Sequence, residues 1–197
     1  MPARRITLVR HGETTGQSSV RYYGSTDVPL ASLGEEQMRR VAAAVVGARF
    51  DSVFSSTLRR SRRSAEIVAP AGHSVRAVPA FDEVDFGRWE GLTKEEIAAR
   101  DPDLYAEWRA APQVFVYPDG ECRRAFGERV VAGFESVAAA EPDGEWLMVL
   151  HRGVIAVVLD HLIGRAAWQH APIELGSMHI VAFDGALWHP ERLEILP

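Results

Sequence analysis

Short apolar strands alternate with capped helices along this chain, and the alternation is the feature that most constrains its fold. Strands are predicted over residues 4–10, 51–54, 75–78 and 146–150, and helices over residues 32–47, 55–69, 121–140 and 152–163. Near the C-terminus, two further predicted strands, 178–183 and 187–195, flank the hairpin signal Asp184-Gly185. This pattern predicts an α/β protein, a three-layer α/β/α sandwich with a mostly parallel central sheet and an antiparallel hairpin.

Capping signals predict where the helices begin. Residues 32–35 (Ser-Leu-Gly-Glu) and 93–96 (Thr-Lys-Glu-Glu) each read as a capping box. The pair Ser55-Ser56 is expected to cap the helix that follows it. Asp101 is the expected N-cap before a proline in the first helical position. Together these signals fix the predicted starts of four helices.

Length and composition are those of an ordinary globular protein. The chain has 197 residues, 47% hydrophobic and 25% charged, so we expect a single domain over residues 1–197. No apolar run approaches the roughly 18 residues that span a bilayer, and no signal peptide is expected. The net charge of −5 argues against nucleic acid as a partner. The single cysteine, Cys122, allows no internal disulfide and favours a cytoplasmic location.

Two segments resemble each other, Leu8-Val9-Arg10-His11-Gly12 and Val149-Leu150-His151-Arg152-Gly153. Each is an apolar strand that ends in a histidine, with a glycine one or two residues later. Because ligands bind beyond the carboxyl ends of strands in an open α/β sheet, the two imidazoles are expected to face each other there. With Arg10 and Arg152 beside them they suit an anion with several oxygens, of which phosphate fits best. A lone histidine at a strand end is more often structural, so the prediction rests on the pair.

Two more segments bring charged groups to the same edge. Residues 55–65 follow a strand and open a helix, whose free N–H groups and dipole favour an anion. One of the four arginines in this segment is expected to turn inward, and the other three to lie on a solvated face. Residues 81–91 offer Glu83 and Asp85 as donors of the proton that the leaving oxygen of a phosphate ester needs. Composition alone does not choose between these two carboxyl groups.

Taken in order, these motifs resemble the histidine phosphatase superfamily, also called phosphoglycerate-mutase-like. Residues 10–14 (Arg-His-Gly-Glu-Thr) match its signature and the residues after it, and residues 24–30 match the loop that follows. His151 matches the second histidine of the family. The resemblance extends from about residue 5 to residue 183, nearly the whole chain, and it implies the fold already predicted.

The other two motifs select single residues. Residues 56–65 resemble the family pattern Ser-x-Leu-x-Arg-Ala-x-x-Thr-Ala, which singles out Arg60. Residues 81–91 resemble the pattern Leu-x-Glu-x-x-Phe-Gly-x-Trp-Glu-Gly, which singles out Glu83. Four motifs in the family's order are together far more specific than any one of them.

The resemblance implies a phosphomonoester hydrolase that needs neither a metal nor another cofactor. Neutral His11 is expected to attack phosphorus and become a phosphohistidine. Arg10, Arg60 and His151 are expected to hold the equatorial oxygens of the phosphoryl group. Glu83 is expected to protonate the leaving oxygen and then to take a proton from the hydrolytic water.

Four further residues are predicted to bind substrate: Gln17, Tyr23, Gly24 and Arg152. By analogy with the family, the Gln17 side chain and the Gly24 backbone should contact the phosphoryl group. Gln17 stands where the family often has Asn, and Arg152 where it often has Gly, so Arg152 either binds phosphate or points to solvent. Other variable residues expected near the mouth are Arg21, Tyr22, Arg88, Trp89 and residues 105–117, in which Tyr105, Trp108 and Phe115 are candidates for an apolar wall.

The family contains both phosphatases and mutases. The mutase branch is typically longer, with a C-terminal tail that shields the site from water, whereas this chain stops at Pro197, soon after its last predicted strand. Because an unshielded phosphohistidine loses its phosphoryl group to water, a phosphatase is favoured. Its expected partner is a small phosphorylated substrate: a sugar phosphate, a phosphoglycerate-like compound or α-ribazole phosphate. Mutase-type transfer and a catalytically inactive phosphate-binding module stay as alternatives, and a homodimer stays open.

Overall fold

Six strands form the central sheet in the part of the chain that the structure describes. The computed structural model describes residues 5–141 and 144–194. The strands are β1 (Arg5–Arg10), β2 (Ser52–Ser55), β3 (Val75–Ala77), β4 (Glu145–Leu150), β5 (Met178–Phe183) and β6 (Trp188–Glu194). Their order is β3-β2-β4-β1-β5-β6. The first four are parallel to one another, and β5 and β6 add antiparallel pairing, as predicted.

Helices cover both faces of this sheet. Along each strand successive residues alternate between the faces. On one face Val9 and Val149 pack in the same apolar cluster as Met38, and on the other Leu8 packs in the same cluster as Val158. The helices are α1 (Ser32–Ala44), α2 (Arg59–Val68), α3 (Lys94–Arg100), α4 (Pro102–Ala110), α5 (Arg123–Ala140), α6 (Arg152–Ile163) and α7 (Arg165–Trp168). With α1 and α2 on the first face and α5 and α6 on the second, the predicted three-layer sandwich is confirmed.

The neighbours β1 and β4 lie in the middle of the sheet and are buried on both faces, which explains the consecutive apolar residues Leu8-Val9 in β1 and 146–150 in β4. Their register pairs Arg10 with Leu150. The residues that come next, His11 and His151, therefore leave the sheet at the same level of the same edge. The His11 backbone N–H donates to the Leu150 carbonyl at 3.0 Å.

Two of the predicted N-caps are wrong. Helix α1 begins at Ser32 itself, with Ala31 as the N-cap and no side-chain capping bond, and it ends at Ala44 rather than residue 47. Helix α2 begins only at Arg59, so Ser55-Ser56 lies outside it. The Ser56 hydroxyl accepts the Leu58 N–H at 3.2 Å and is otherwise used in a tertiary contact described below.

Of the other two capping predictions, one is confirmed in full and one in position only. Thr93 caps α3 in a complete capping box with Glu96. Asp101 does occupy the N-cap position of α4, before a proline, but its carboxylate makes no capping bond. It accepts instead from the Arg88 guanidinium at 2.8 Å and from the Trp89 indole at 2.7 Å, because these charged and aromatic donors lie against it.

The predicted hairpin is present at Asp184-Gly185. Asp184 Oδ1 accepts the N–H groups of Ala186 and Leu187, and Gly185 has a φ of +103°, which favours glycine. Arg4 and Ile195, included in the first and last predicted strands, lie outside the described residues. Within residues 5–141 and 144–194, no helix combines the length and apolar character needed to cross a membrane.

Candidate active site

Two buried imidazole rings lie next to each other at the carboxyl edge of β1 and β4. The ring centroids of His11 and His151 are 5.1 Å apart, and the ring planes meet at 64°. His11 is 4% exposed and His151 is fully buried. The structure thus brings together the two strand-end histidines, as their matching segments predicted.

His11 is held in one tautomer. Its Nδ1 lies 2.8 Å from the carbonyl oxygen of Gly12, which can only accept a hydrogen bond, so Nδ1 carries the hydrogen. Burial, reinforced by the charges of Arg60 and Arg10, holds the pKa of His11 well below its usual range. The ring is therefore neutral near pH 7, and its lone pair lies on Nε2, where a nucleophile needs it.

His151 is held through the opposite nitrogen. Its Nε2 lies 2.7 Å from the Ser56 hydroxyl, whose segment follows β2. Burial, followed by the charge of Arg60, keeps the pKa of His151 well below its usual range. Because the Ser56 hydroxyl can donate to Nε2, Nδ1 is free to carry a hydrogen toward a ligand.

Arg60, in the first turn of α2, is the one arginine of that helix that is fully buried, and the other three are exposed, as predicted. Its guanidinium donates to the carbonyls of Thr26 at 2.9 Å, Gly24 at 2.6 Å and Tyr23 at 3.2 Å. Since a guanidinium has five N–H donors, hydrogens remain for a ligand. Burial lowers the pKa of Arg60, although a guanidinium stays charged near neutral pH.

Arg10 ends β1 beside His11. Its side chain donates to the Ile173 carbonyl at 2.9 Å. Burial, and next the nearby charge of Arg152, lowers the pKa of Arg10 to about 10, so it remains a cation at pH 7. A second positive charge therefore lies at the strand edge with the two imidazoles.

Three buried atoms of this group have no hydrogen-bond partner within the described part of the chain: Arg10 Nε, Arg60 Nε and His151 Nδ1. An unpaired buried polar group costs about 1–3 kcal/mol. One anion with several acceptor oxygens, placed among two arginines and two histidines, would satisfy such donors together. The arrangement therefore fits a phosphoryl group.

Glu83 meets the same edge from the segment after β3, and it is 8% exposed. One carboxylate oxygen accepts the N–H of Gly153 at 2.8 Å, in the first turn of α6, and the other accepts the N–H of Val84 at 2.9 Å. A Cβ at Gly153 would lie 2.4 Å from Glu83 Oε1, so a larger residue there would displace this carboxylate. Asp85 instead accepts the Gly87 N–H at 2.8 Å, so the structure distinguishes the two candidate carboxyl groups.

The predicted substrate-binding residues lie in different settings. Gln17 is exposed, with a φ of +64°. Tyr23 packs its ring close to Gly16, where a Cβ would lie 2.5 Å from the ring. Gly24 is buried, and a Cβ there would lie 1.7 Å from the Val84 carbonyl oxygen. Its role as a phosphoryl ligand stays a prediction, since its carbonyl already accepts from Arg60 and its N–H already has a carboxylate partner.

Arg152 is exposed at the first position of α6. Burial, and next the charge of Arg152, lowers the pKa of Arg10, so the Arg152 side chain lies near that guanidinium. The choice between a phosphate ligand and a solvent-facing charge stays open for this residue.

Two aromatic residues expected near the mouth belong to the core instead. Trp89 is 1% exposed and Phe115 is 3% exposed, and their rings stack with centroids 5.3 Å apart. Trp108 meets Trp89 edge to face at 5.9 Å and Tyr22 at 6.0 Å, so it joins this core to the mouth. Apolar packing, rather than contact with a ligand, accounts for Trp89 and Phe115.

Sequence reasoning missed Glu90, which organises the loop under Arg60. Its carboxylate accepts the backbone N–H groups of Gly24, Ser25 and Thr26, and that of Phe86. The loop is therefore held on its N–H side by a carboxylate and on its carbonyl side by a guanidinium. The signal in the sequence is the Trp-Glu-Gly end of residues 81–91, which belongs to the same motif as Glu83. Within residues 5–141 and 144–194, no three His, Cys, Asp or Glu side chains are grouped as a metal site.

Comparison with known proteins gives one family and close structural relatives. The sequence model of the histidine phosphatase superfamily (branch 1) matches residues 6–195. The adenosylcobalamin/alpha-ribazole phosphatase of Escherichia coli (strain K12) is 30% identical over 164 residues, covering 83% of this chain and 81% of that protein. The uncharacterized phosphatase PhoE of Bacillus subtilis (strain 168) is 32% identical over 160 residues, covering 81% and 77%. The crystal structure of the alpha-ribazole phosphatase from Shigella flexneri superposes with a TM-score of 0.86 at 26% identity, covering 97% of this chain and 96% of that one.

Proposed function

The chain belongs to the histidine phosphatase superfamily (branch 1) and is a phosphoric monoester hydrolase, and we propose that it hydrolyses small phosphorylated metabolites through a phosphohistidine on His11. The observation that carries this mechanism is the tautomer of His11. A ring that is neutral, buried and hydrogen-bonded through Nδ1 offers Nε2 as its nucleophilic atom. No metal-bound water is required to attack phosphorus in such a site.

In the first step, His11 Nε2 forms a bond to phosphorus as the ester P–O bond breaks. Arg10, Arg60 and His151 surround the position of the nucleophile and stabilise the charge on the phosphoryl oxygens, which is the largest contribution a protein makes to such transfers. Their unpaired buried donors support this role. Burial and then the arginine charges lower the pKa of His11, which keeps the ring neutral before the attack.

Glu83 completes both steps as acid and base. Its proton goes to the leaving oxygen in the first step. In the second step it takes a proton from the water whose oxygen attacks phosphorus, while the N–P bond breaks and His11 is restored. Support comes from its position: its carboxylate bonds to Gly153, two residues after His151.

The remaining residues are assigned by their settings. Arg152 attracts the anionic substrate, Tyr23 and Gln17 border the entrance, and Gly24 permits the close approach of its loop to Val84. Relatives named as alpha-ribazole phosphatases make α-ribazole phosphate one candidate substrate, with sugar phosphates and phosphoglycerate-like compounds as others. A single domain over residues 1–197 and a cytoplasmic location belong to the same proposal, in which a homodimer stays open; the single cysteine supports the location.

The test is phosphate release by the purified chain, with EDTA present, from p-nitrophenyl phosphate, a sugar phosphate, 3-phosphoglycerate and α-ribazole phosphate. We expect chelator-resistant release that His11→Ala lowers by at least about 10⁴-fold. His170→Ala, which alters an exposed histidine, serves as the matched control and keeps full activity. The wild type should also yield an acid-labile, alkali-stable phosphoenzyme that His11→Ala lacks.

Three results would contradict this proposal. Activity that survives His11→Ala would exclude the phosphohistidine. Transfer of the phosphoryl group within 3-phosphoglycerate, without release of phosphate, would assign a mutase. Phosphate binding with neither reaction would assign a binding module.

A further inference from the structure

Arg129, in the second turn of α5, holds the backbone immediately before Glu83. Its Nη1 donates to the carbonyls of Ala80 at 2.9 Å and Asp82 at 3.0 Å. Its Nε and Nη2 donate to the two carboxylate oxygens of Glu121 at 3.0 and 2.9 Å, a bidentate pair. One side chain thus joins α5, the loop before it and the segment that carries the proposed acid.

Glu121 continues the contact on the other side of Glu83. Its backbone N–H donates to the Asp85 carbonyl at 2.9 Å, and its Oε2 lies 3.4 Å from the Asp85 N–H. The ion pair of Arg129 and Glu121 therefore bonds to residues that bracket Glu83 in the chain.

The packing around this ion pair fixes where the guanidinium lies. One turn after Arg129, Gly133 lets the helix approach Ala80, because a Cβ on that glycine would lie 2.3 Å from the Ala80 Cβ. The guanidinium lies 5.1 Å from the ring centre of Phe126, which is fully buried. The Arg129 and Glu121 side chains are 31% and 21% exposed and border the same cleft of about 490 Å³ as Glu83, so a substitution there does not strand a charge in the core.

Within the described residues, two backbone hydrogen bonds hold the carboxylate of Glu83. Its carboxylate is anchored by the N–H groups of Val84 and Gly153, and the first of these moves with its own backbone. A general acid must lie about 2.6–3.2 Å from the oxygen it protonates. A displacement of about 1 Å can cost about 10²-fold in rate.

We propose that Arg129, paired with Glu121, is a positioning residue that sets the carboxyl of Glu83 for proton donation to the leaving oxygen. The inference rests on the proposed function, because it assumes that Glu83 is the acid. The hydrogen bonds of Arg129 in the described part of the chain go to Ala80, Asp82 and Glu121, so the proposal has it act through the position of Glu83. Its loss should therefore slow the reaction in proportion to the need of the leaving group for a proton.

Two phosphate monoesters of similar shape test this expectation, because their leaving groups differ in how much they need a proton. p-Nitrophenol leaves as a stable anion, whereas phenol needs protonation far more. The value of kcat/KM reports the steps up to the first irreversible one, which is phosphorylation of His11, so the second role of Glu83 does not enter. We would measure kcat/KM for p-nitrophenyl phosphate and phenyl phosphate with Arg129→Gln, Arg129→Lys and Glu83→Gln.

The matched control is Arg124→Gln, on the same helix. Arg124 is exposed and pairs with Glu128 at 2.9 Å, four residues on. It has the same charge and the same kind of carboxylate partner as Arg129. Both rates should stay at the wild-type level in this variant.

Arg129→Gln should lower kcat/KM by about 10–100-fold for phenyl phosphate and by less than about threefold for p-nitrophenyl phosphate. Glu83→Gln should also lower kcat/KM more for phenyl phosphate than for p-nitrophenyl phosphate, and by a larger factor. In the double variant, Arg129→Gln should not increase this difference between the two esters. Arg129→Lys should lie between, because an ammonium keeps the charge but not the bidentate geometry. If the melting curve shows that Arg129→Gln does not fold, Arg129→Lys and Glu121→Gln provide the test instead. The quantity compared is again the loss of kcat/KM for phenyl phosphate relative to that for p-nitrophenyl phosphate.

Equal losses for the two esters, or no loss, would overturn the positioning role. The proposed function has a separate check in His11→Ala with the same substrates. If His11→Ala is inactive and the Arg129 variants lack selectivity, only the positioning role fails. If His11→Ala is active, the phosphohistidine mechanism fails first.

Discussion

The two strand–histidine segments reach the same edge of the sheet but present opposite nitrogens. His11 is tied through Nδ1 to the carbonyl of Gly12, the next residue in its own loop. His151 is tied through Nε2 to the hydroxyl of Ser56, 95 residues away in the chain. The strand and its register place each ring, and the partner of the second nitrogen decides which atom the ring offers to a ligand.

The nature of each partner adds a second difference. A carbonyl only accepts hydrogen bonds, so the tautomer of His11 is fixed with Nε2 as the nucleophile. A hydroxyl both donates and accepts, so Ser56 can stabilise His151 with the hydrogen on either nitrogen. A nucleophile benefits from one fixed form, whereas a group that stabilises a changing charge benefits from adaptability.

The largest expected effect separates the roles of the two rings. His151→Ala should lower kcat by about 10²–10³-fold, as the loss of one charge-stabilising donor does elsewhere. Ser56→Ala should lower it by about tenfold, the value of one hydrogen bond. In single-turnover experiments both variants should still form phosphohistidine, because His11 is intact.

A double-mutant cycle sharpens this test. If Ser56 acts through His151, Ser56→Ala should change kcat by less than about twofold once His151 is alanine. The control is Ser52→Ala, which should keep full activity. It removes a hydroxyl that bonds to Glu141 at the start of β2, the strand that Ser56 follows. Additive losses would show that Ser56 acts independently of the ring.

Lowering the pH should reduce the free energy of unfolding, because both imidazoles take up protons when the chain unfolds. Burial and nearby arginines hold the pKa values of His11 and His151 well below the usual value. In the unfolded chain a histidine binds a proton near pH 6.5, so below that pH the unfolded state binds more protons. The free energy of unfolding should be level above about pH 7 and fall by about 1.4 kcal/mol per pH unit for each such histidine as the pH drops further.

Urea unfolding at several pH values from 8 to 5 measures this slope. His179 on β5, whose pKa burial also lowers, contributes with the same sign. Replacing His11 or His151 by Asn should reduce the slope by the same amount, although the two rings are tied through different nitrogens. A slope that is unchanged in either variant would mean that the corresponding ring takes up a proton in the folded state.

The sequence was sufficient to bring the histidines together, because each follows a short strand with an apolar stretch, and such strands occupy the centre of a parallel sheet. It was insufficient for the partner of His151. Ser56 directly precedes a helical pattern, so local reasoning assigned its hydroxyl to a helix cap. The register of β2 against β4, which pairs Ser55 with Val149, brings that hydroxyl to the imidazole, and no local pattern encodes a register.

The aromatic residues show a similar limit. Trp89 ends a single turn of 3-10 helix (Gly87–Trp89) and Phe115 lies in a loop, and neither segment has a periodic pattern that tells whether an aromatic side chain faces a cleft or the core. Their burial is decided by α3, α4 and α5 packing around them, which is a tertiary effect. By contrast, the burial of Arg60 could be predicted, because a family motif singled out this one arginine among four.

The smallest expected effect concerns Arg152, which follows His151 where Gly12 follows His11. An exposed cation near Arg10 attracts an anionic substrate but contributes little to a transition state that other groups already surround. Arg152→Ala should therefore raise KM by about two- to fivefold and leave kcat within about twofold, with the difference in KM shrinking at high salt. Arg165→Ala, which removes an exposed arginine paired with Asp160, is the control. A fall in kcat at constant KM would instead make Arg152 a ligand of the transferring phosphoryl group, and the second segment would then supply two such ligands where the first supplies a nucleophile and one arginine.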